Sequence, residues 1–80
     1  MKEEIVRDRD KIIIETKEFQ GKRYLDIRSH YLDNKDQSYM PSKKGITISD
    51  VGDIEFLTQA LTRNKDEIVK FLLKKREVKK

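Results

Sequence analysis

The stretch from Lys11 to Leu32 restricts the fold more than any other part of the chain, because it reads as a β-hairpin. Ile12-Ile13-Ile14-Glu15-Thr16-Lys17-Glu18-Phe19 is β-branched and aromatic, which suits a pleated, half-buried surface better than a helix. Gln20-Gly21 follows as a tight turn, and Lys22 to Leu32 forms the second strand. Its alternation puts Leu25, Ile27, Ser29 and Tyr31 on one side of the pleat and Lys22, Tyr24, Asp26, Arg28 and His30 on the other. The first side is expected to be core and the second wet.

The rest of the chain extends the hairpin into a meander. Asp33-Asn34-Lys35-Asp36-Gln37 is rich in turn formers and returns the chain into a short third strand around Ser38 to Pro41. Pro41 lacks an N–H and suits an edge or a strand end. Ser42-Lys43-Lys44-Gly45 then leads into a short fourth strand, Ile46-Thr47-Ile48. Ser49 or Asp50 can cap a helix, with Asp50 and Asp53 at the end where the dipole favours negative charge. Apolar residues recur at Ile54, Leu57, Leu61, Ile68 and Phe71, with Phe56, Ala60, Leu72 and Leu73 widening the stripe. Asn64 interrupts it, and one long helix is expected in preference to two. The expected fold is α+β: a four-stranded curved antiparallel sheet followed by one C-terminal helix. Residues 1–10 are expected to be a charged lead-in, frayed or weakly helical, 11–75 the domain, and 76–80 a basic tail.

A chain of 80 residues with 35% hydrophobic and 42% charged residues has little apolar material to seal both a sheet and a helix. The far half of the helix also outruns a short sheet. Both points predict a homodimer, helix against helix, through Leu61, Ile68, Phe71 and Leu72.

Several functions are excluded or disfavoured by composition. There are no cysteines, so disulfides, thiolate metal sites and a cysteine nucleophile drop out. His30 is the one histidine and has no Asp or Glu at ligand spacing, so no metal or cofactor is expected. Asp26, Asp33 and Asp36 read as turn or salt-bridge residues rather than an acid–base pair. Gly21, Gly45 and Gly52 are isolated and form no phosphate loop. No enzyme activity is expected. No apolar run reaches the length of a membrane span, and Met1 to Asp10 is too charged for a signal peptide. An intracellular protein is expected, cytoplasmic in a prokaryotic or viral setting and nuclear in a eukaryotic one.

The net charge of +4 resides wholly in Lys74 to Lys80, while residues 1–73 carry as many acidic as basic side chains. Bulk charge therefore says little about partners, and the question is whether cations converge on one surface. Lys17, Phe19, Lys22, Tyr24, Arg28, Tyr31, Lys43 and Lys44 supply an aromatic and basic pattern in the sheet. Single strands need aromatic faces for stacking and cations that track phosphates. On the pattern alone, Phe19, Tyr24 and Tyr31 serve equally well as core or rim.

The run F-Q-G-K-R-Y-L-D-I-R-S-H-Y-L-D from Phe19, with P-S-K-K-G-I-T-I-S from Pro41, resembles the transcriptional coactivator family of positive cofactor four. The shared features are an aromatic before Gly-Lys, then Asp-Ile-Arg, an aromatic three residues later, and a Pro segment with basic residues before Gly-Ile. The resemblance covers about residues 11–73. It implies a whirly-like β-β-β-β-α subunit that dimerises through its helices and binds single-stranded DNA with little sequence preference. It also implies that Phe19 and Tyr31 stack on bases, that Lys22, Arg28, Lys43 and Lys44 hold phosphates, and that Lys17 lies at the channel margin. Arg28 and Tyr31 have opposite strand parity, so the two can act together only if the strand twists, bulges or ends between them. Gln20, Tyr31 and Ser42 depart from the family's usual basic residue, Trp and Gly, and the helix start lacks its Pro and Trp. A compact prokaryotic or viral member is expected, acting at unwound DNA with transcription or replication proteins. Two rival readings stay open: an adaptor that recruits a protein through its apolar helix, and RNA binding by the same sheet.

Overall fold

The computed structural model describes residues 1–78, with side chains through Lys74. They form two units, one ending at Asp50 and one beginning at Val51. The first is an antiparallel sheet of β1 (Lys2–Val6), β2 (Asp10–Phe19), β3 (Lys22–Asp33) and β4 (Ser38–Ile48) in the order β1-β2-β3-β4. The second comprises α1 (Val51–Arg63) and α2 (Lys65–Val78). No helix among the described residues is long and apolar enough to cross a membrane.

The number of strands is as expected, but their membership differs. The charged lead-in is not frayed or helical; its residues 2–6 are the edge strand β1. Its alternating charges find cross-strand partners: Lys2 lies opposite Glu15, and Glu4 accepts a hydrogen bond from Lys11 Nζ at 3.1 Å. Ile5 meets Ile12 on the other face. Cross-strand pairs of this kind replace the apolar periodicity that the segment lacks. The two short strands expected at Ser38–Pro41 and Ile46–Ile48 are one strand, β4, with an irregularity in its middle. Arg28 pairs with Gly45 and His30 with Pro41, so Ser42, Lys43 and Lys44 all stand against Ser29. The extra residues form a bulge, a device that bends a strand and increases its local twist.

The turns follow from local chemistry. Gln20 and Gly21 both have positive φ, 53° and 80°, the conformation of a two-residue hairpin turn whose twist matches that of the strands it joins. In the β3–β4 turn the Asp33 carboxylate accepts from the Lys35 N–H at 3.0 Å, and the Asp33 carbonyl accepts from the Gln37 N–H at 2.8 Å. Gln37 completes it at φ 57°.

Burial across β3 reverses the expectation. The most buried residues of that strand are Asp26 and His30, at 2% and 7% exposure, on the side expected to be wet. They share this face with Ile13, the one buried apolar residue among those described. Leu25 and Ile27 on the other face are only half-buried, and their neighbour Ile46 is exposed. Long side chains contribute to this burial: Lys17 and Arg28 close on the Asp26 carboxylate, and Lys11 lies over the Tyr39 ring.

The helical segment is also not one continuous helix, because α1 and α2 are separated at Asn64. Main-chain bonds bridge the break: the Asn64 N–H donates to Ala60 O at 3.1 Å, and Asn64 O accepts from the Ile68 N–H at 2.9 Å. The Asn64 side-chain amide donates to the same Ala60 carbonyl at 2.8 Å. Side-chain bonds of this kind make Asn a poor residue for a helix interior. Of the expected tail, residues 79 and 80 lie outside the described residues.

Candidate nucleic-acid interface

Strand register assigns the candidate side chains to faces. Lys17 pairs with Tyr24, Phe19 with Lys22, Glu15 with Asp26, and Ile13 with Arg28. All eight therefore share one face. On it a shallow depression is lined by Lys17, Phe19, Tyr24, Asp26, Arg28 and Thr47. Phe19 is 64% exposed, an apolar ring held at the end of a strand with its face open to solvent.

The floor of this depression is an ion-pair network centred on Asp26. Its carboxylate accepts from Arg28 Nη2 at 3.0 Å and from Arg28 Nε at 3.3 Å, and Lys17 Nζ lies 3.5 Å away. Lys17 also lies 3.6 Å from Glu15. Burial alone would raise the Asp26 carboxyl, but the Arg28 hydrogen bonds and the charges of Arg28 and Lys17 outweigh it and hold the group below its ordinary value. Arg28 Nη1 donates to the Ser42 carbonyl at 2.9 Å, and Ser42 Oγ donates to the Ser29 carbonyl at 2.8 Å. The bulge carrying Lys43 and Lys44 is thus tied to the guanidinium in the depression. Gly45 makes this close approach feasible, since a Cβ there would come within 2.7 Å of Ile27 O.

The remaining expected residues lie elsewhere. Tyr31 is half exposed and pairs with Asp10 and Met40. The β2–β3 register runs unbroken past Arg28, so alternation puts Tyr31 on the opposite face from Phe19 and Arg28. The irregularity that was needed between Arg28 and Tyr31 is present, but it lies in β4. Lys44 lines a second depression with Ile12, Ile27, Arg28, Ser29, Gly45 and Ile46, and Lys43 is exposed on the bulge. Sequence reasoning did not place Asp26, Ser42 or Thr47 in the site; the one available signal was the Asp-Ile-Arg spacing, which puts acid and guanidinium on one face.

Further along the same face, Lys11 Nζ sits 4.3 Å from the centroid of the Tyr39 ring, a cation–π contact. His30 is buried with no hydrogen-bond partner for Nε2. Burial and the charge of Lys17 hold its imidazole below the ordinary value, against the opposing pull of Glu15 and Asp26. In the helices Leu61, Ile68, Phe71 and Leu72 are all exposed. Shallow grooves flank Ile68, one lined by Asn64, Glu67 and Phe71 and one by Leu61, Thr62, Lys65 and Val69.

Cations and an exposed aromatic ring thus share one face of a bulged four-stranded antiparallel sheet that is followed in the chain by two helices. The family model of transcriptional coactivator p15 (PC4) matches residues 7–51, and the chain belongs to that family. A candidate RNA polymerase II transcriptional coactivator of Caenorhabditis elegans is 52% identical over 31 residues. That match spans 39% of this chain and 25% of the worm protein. The bacteriophage T5 homolog of the eukaryotic transcription coactivator PC4, implicated in recombination-dependent DNA replication, has a similar fold. Its TM-score is 0.67 at 23% identity, and the comparison covers 99% of this chain and 97% of the phage chain.

Proposed function

We propose that this protein binds single-stranded DNA with little sequence preference, as a non-catalytic homodimer acting at unwound DNA in transcription, replication or repair. The observation that carries this reading is the convergence of Lys17, Phe19, Lys22 and Arg28 on one sheet face. A single strand would lay a base on Phe19, cross Arg28 and leave over the bulged margin, where Lys43 and Lys44 add cations and Tyr31 a ring on the alternate face. Membership of a coactivator family supports a role in transcription. The phage relative supports one in replication. The exposed stripe of Leu61, Ile68, Phe71 and Leu72 supports pairing of two copies.

Titration of a fluorescent single strand at two salt concentrations, with the matching duplex as competitor, tests the reading. Binding should weaken with salt and resist the duplex. Arg28→Ala and Lys44→Ala should each weaken it and flatten the salt dependence by about 0.7 in log–log slope for every phosphate no longer neutralised. Unchanged binding by both variants would refute the phosphate assignment. A ribose strand that binds more tightly would move the function to RNA. Absence of binding at low salt would favour the protein adaptor, for which the exposed helix stripe is the supporting observation.

A further inference from the structure

Tyr24 stands beside Phe19 on the face that carries the cations. Phe19 pairs with Lys22 and Lys17 with Tyr24, which makes Phe19 and Tyr24 diagonal neighbours on adjacent antiparallel strands. Diagonal positions are about 7–8 Å apart, within reach of two aromatic side chains. Both rings line the same open depression, whose other walls are Lys17, Asp26, Arg28 and Thr47. Phe19 is largely exposed while Tyr24 is half-buried, so one ring is free and the other anchored.

The charges around them are fixed. Lys17 is held by Glu15 and Asp26, and Arg28 by Asp26 and the Ser42 carbonyl. A phosphate drawn to these two cations would leave its nucleoside over the two rings. Tyr31, the other aromatic expected to stack, alternates onto the opposite face.

We infer that Tyr24 is a base-stacking residue, forming with Phe19 a two-ring platform that receives one nucleobase of a bound single strand. This rests on the single-strand reading above and deepens it. The competing role for Tyr24 is packing: its ring would cover the sheet and touch no base.

Three proteins, wild type, Tyr24→Phe and Tyr24→Leu, should be compared on a 20-nucleotide oligothymidylate and on an abasic phosphodiester strand of the same length. Stacking predicts that Tyr24→Leu loses about five- to 150-fold in affinity for the base-bearing strand, the range found when an aromatic platform is removed. It should keep wild-type affinity for the abasic strand, which also shows that the fold persists, and Tyr24→Phe should bind both strands like wild type. The chain has no tryptophan and three tyrosines, so its intrinsic emission reports on tyrosine alone. Oligothymidylate should quench that emission, and Tyr24→Phe should abolish part of the quenching. Equal losses by Tyr24→Leu on both strands, or no loss on either, would overturn the inference while leaving the single-strand reading in place. Failure of the wild type to bind either strand at low salt would overturn both.

Discussion

Replacing Arg28 with alanine should destabilise the protein by much more than a surface substitution, in the absence of any nucleic acid. The side chain contributes hydrogen bonds of 3.0 and 3.3 Å to the Asp26 carboxylate and one of 2.9 Å to the Ser42 carbonyl. Asp26 has only 3% of its side chain exposed, and after the substitution Lys17 at 3.5 Å would be its remaining cation. Removing one member of a buried pair costs about 3–5 kcal/mol, because the other charge is left uncompensated. Lys17 stays in place beside the carboxylate, so the lower end applies, about 3 kcal/mol. For a domain of this size that corresponds to a fall of roughly 12–24 °C in melting temperature. The double variant Asp26→Asn with Arg28→Ala no longer buries a lone charge and should recover more than half of the loss. Thermal and urea melts at matched protein concentration, assembled into a double-mutant cycle, give the coupling directly. The penalty should also shrink in acid. A carboxyl held below its ordinary value adds stability that is present above its unfolded pKa and lost as pH falls through the folded one. An Arg28→Ala protein within about 1 kcal/mol of wild type would refute the network. A double variant no more stable than the single one would refute it equally.

Three further outcomes follow from the same geometry. The His30 imidazole is held below its ordinary value, so the unfolded chain takes up a proton at higher pH than the folded one. Stability should therefore fall as pH drops through about 6.5, and His30→Gln should remove that part of the dependence in a series of melts from about pH 8 to 5. At Gly45 an added Cβ would meet the backbone atoms Ile27 O at 2.7 Å and Arg28 Cα at 3.0 Å, and Arg28 Cβ at 3.0 Å, so Gly45→Ala should cost about 1–3 kcal/mol in urea unfolding and speed amide exchange in β4. Asn64→Ala removes the side-chain bond to Ala60 O and substitutes the best helix former, so circular dichroism at 222 nm should deepen and stability rise by about half a kcal/mol.

What could be read from the sequence, and what could not, divides by the range of the interactions involved. The β2–β3 hairpin rests on β-branched residues and a Gln-Gly turn within a few positions of one another, and it forms where the pattern places it. The same holds for the helical stripe, up to the break at Asn64, where the side-chain amide shares the Ala60 carbonyl with the main chain. The continuity of β4 depends instead on partners far away along the chain. Ser42-Lys43-Lys44 looks like a loop until the Arg28 guanidinium and the Ser29 carbonyl bind Ser42. The strand β1 likewise becomes a strand only when it pairs with β2, where Lys11 supplies the counter-charge to Glu4.

The site divides along the same line. Phe19, Lys17, Lys22 and Arg28 fall on one face by alternation within the hairpin. Tyr31 is excluded from that face by the same alternation, and the bulge bends β4 without changing the parity of β3. Asp26 is the salt-bridge residue that the sequence suggests, but its face was expected to be wet and its carboxylate is buried. Its burial depends on long side chains from neighbouring positions and strands closing over it. A carboxylate buried beneath two cations has a definite consequence. It neutralises part of their charge and fixes their positions, so a strand bound as proposed above would meet cations already in place rather than ordering two flexible side chains itself.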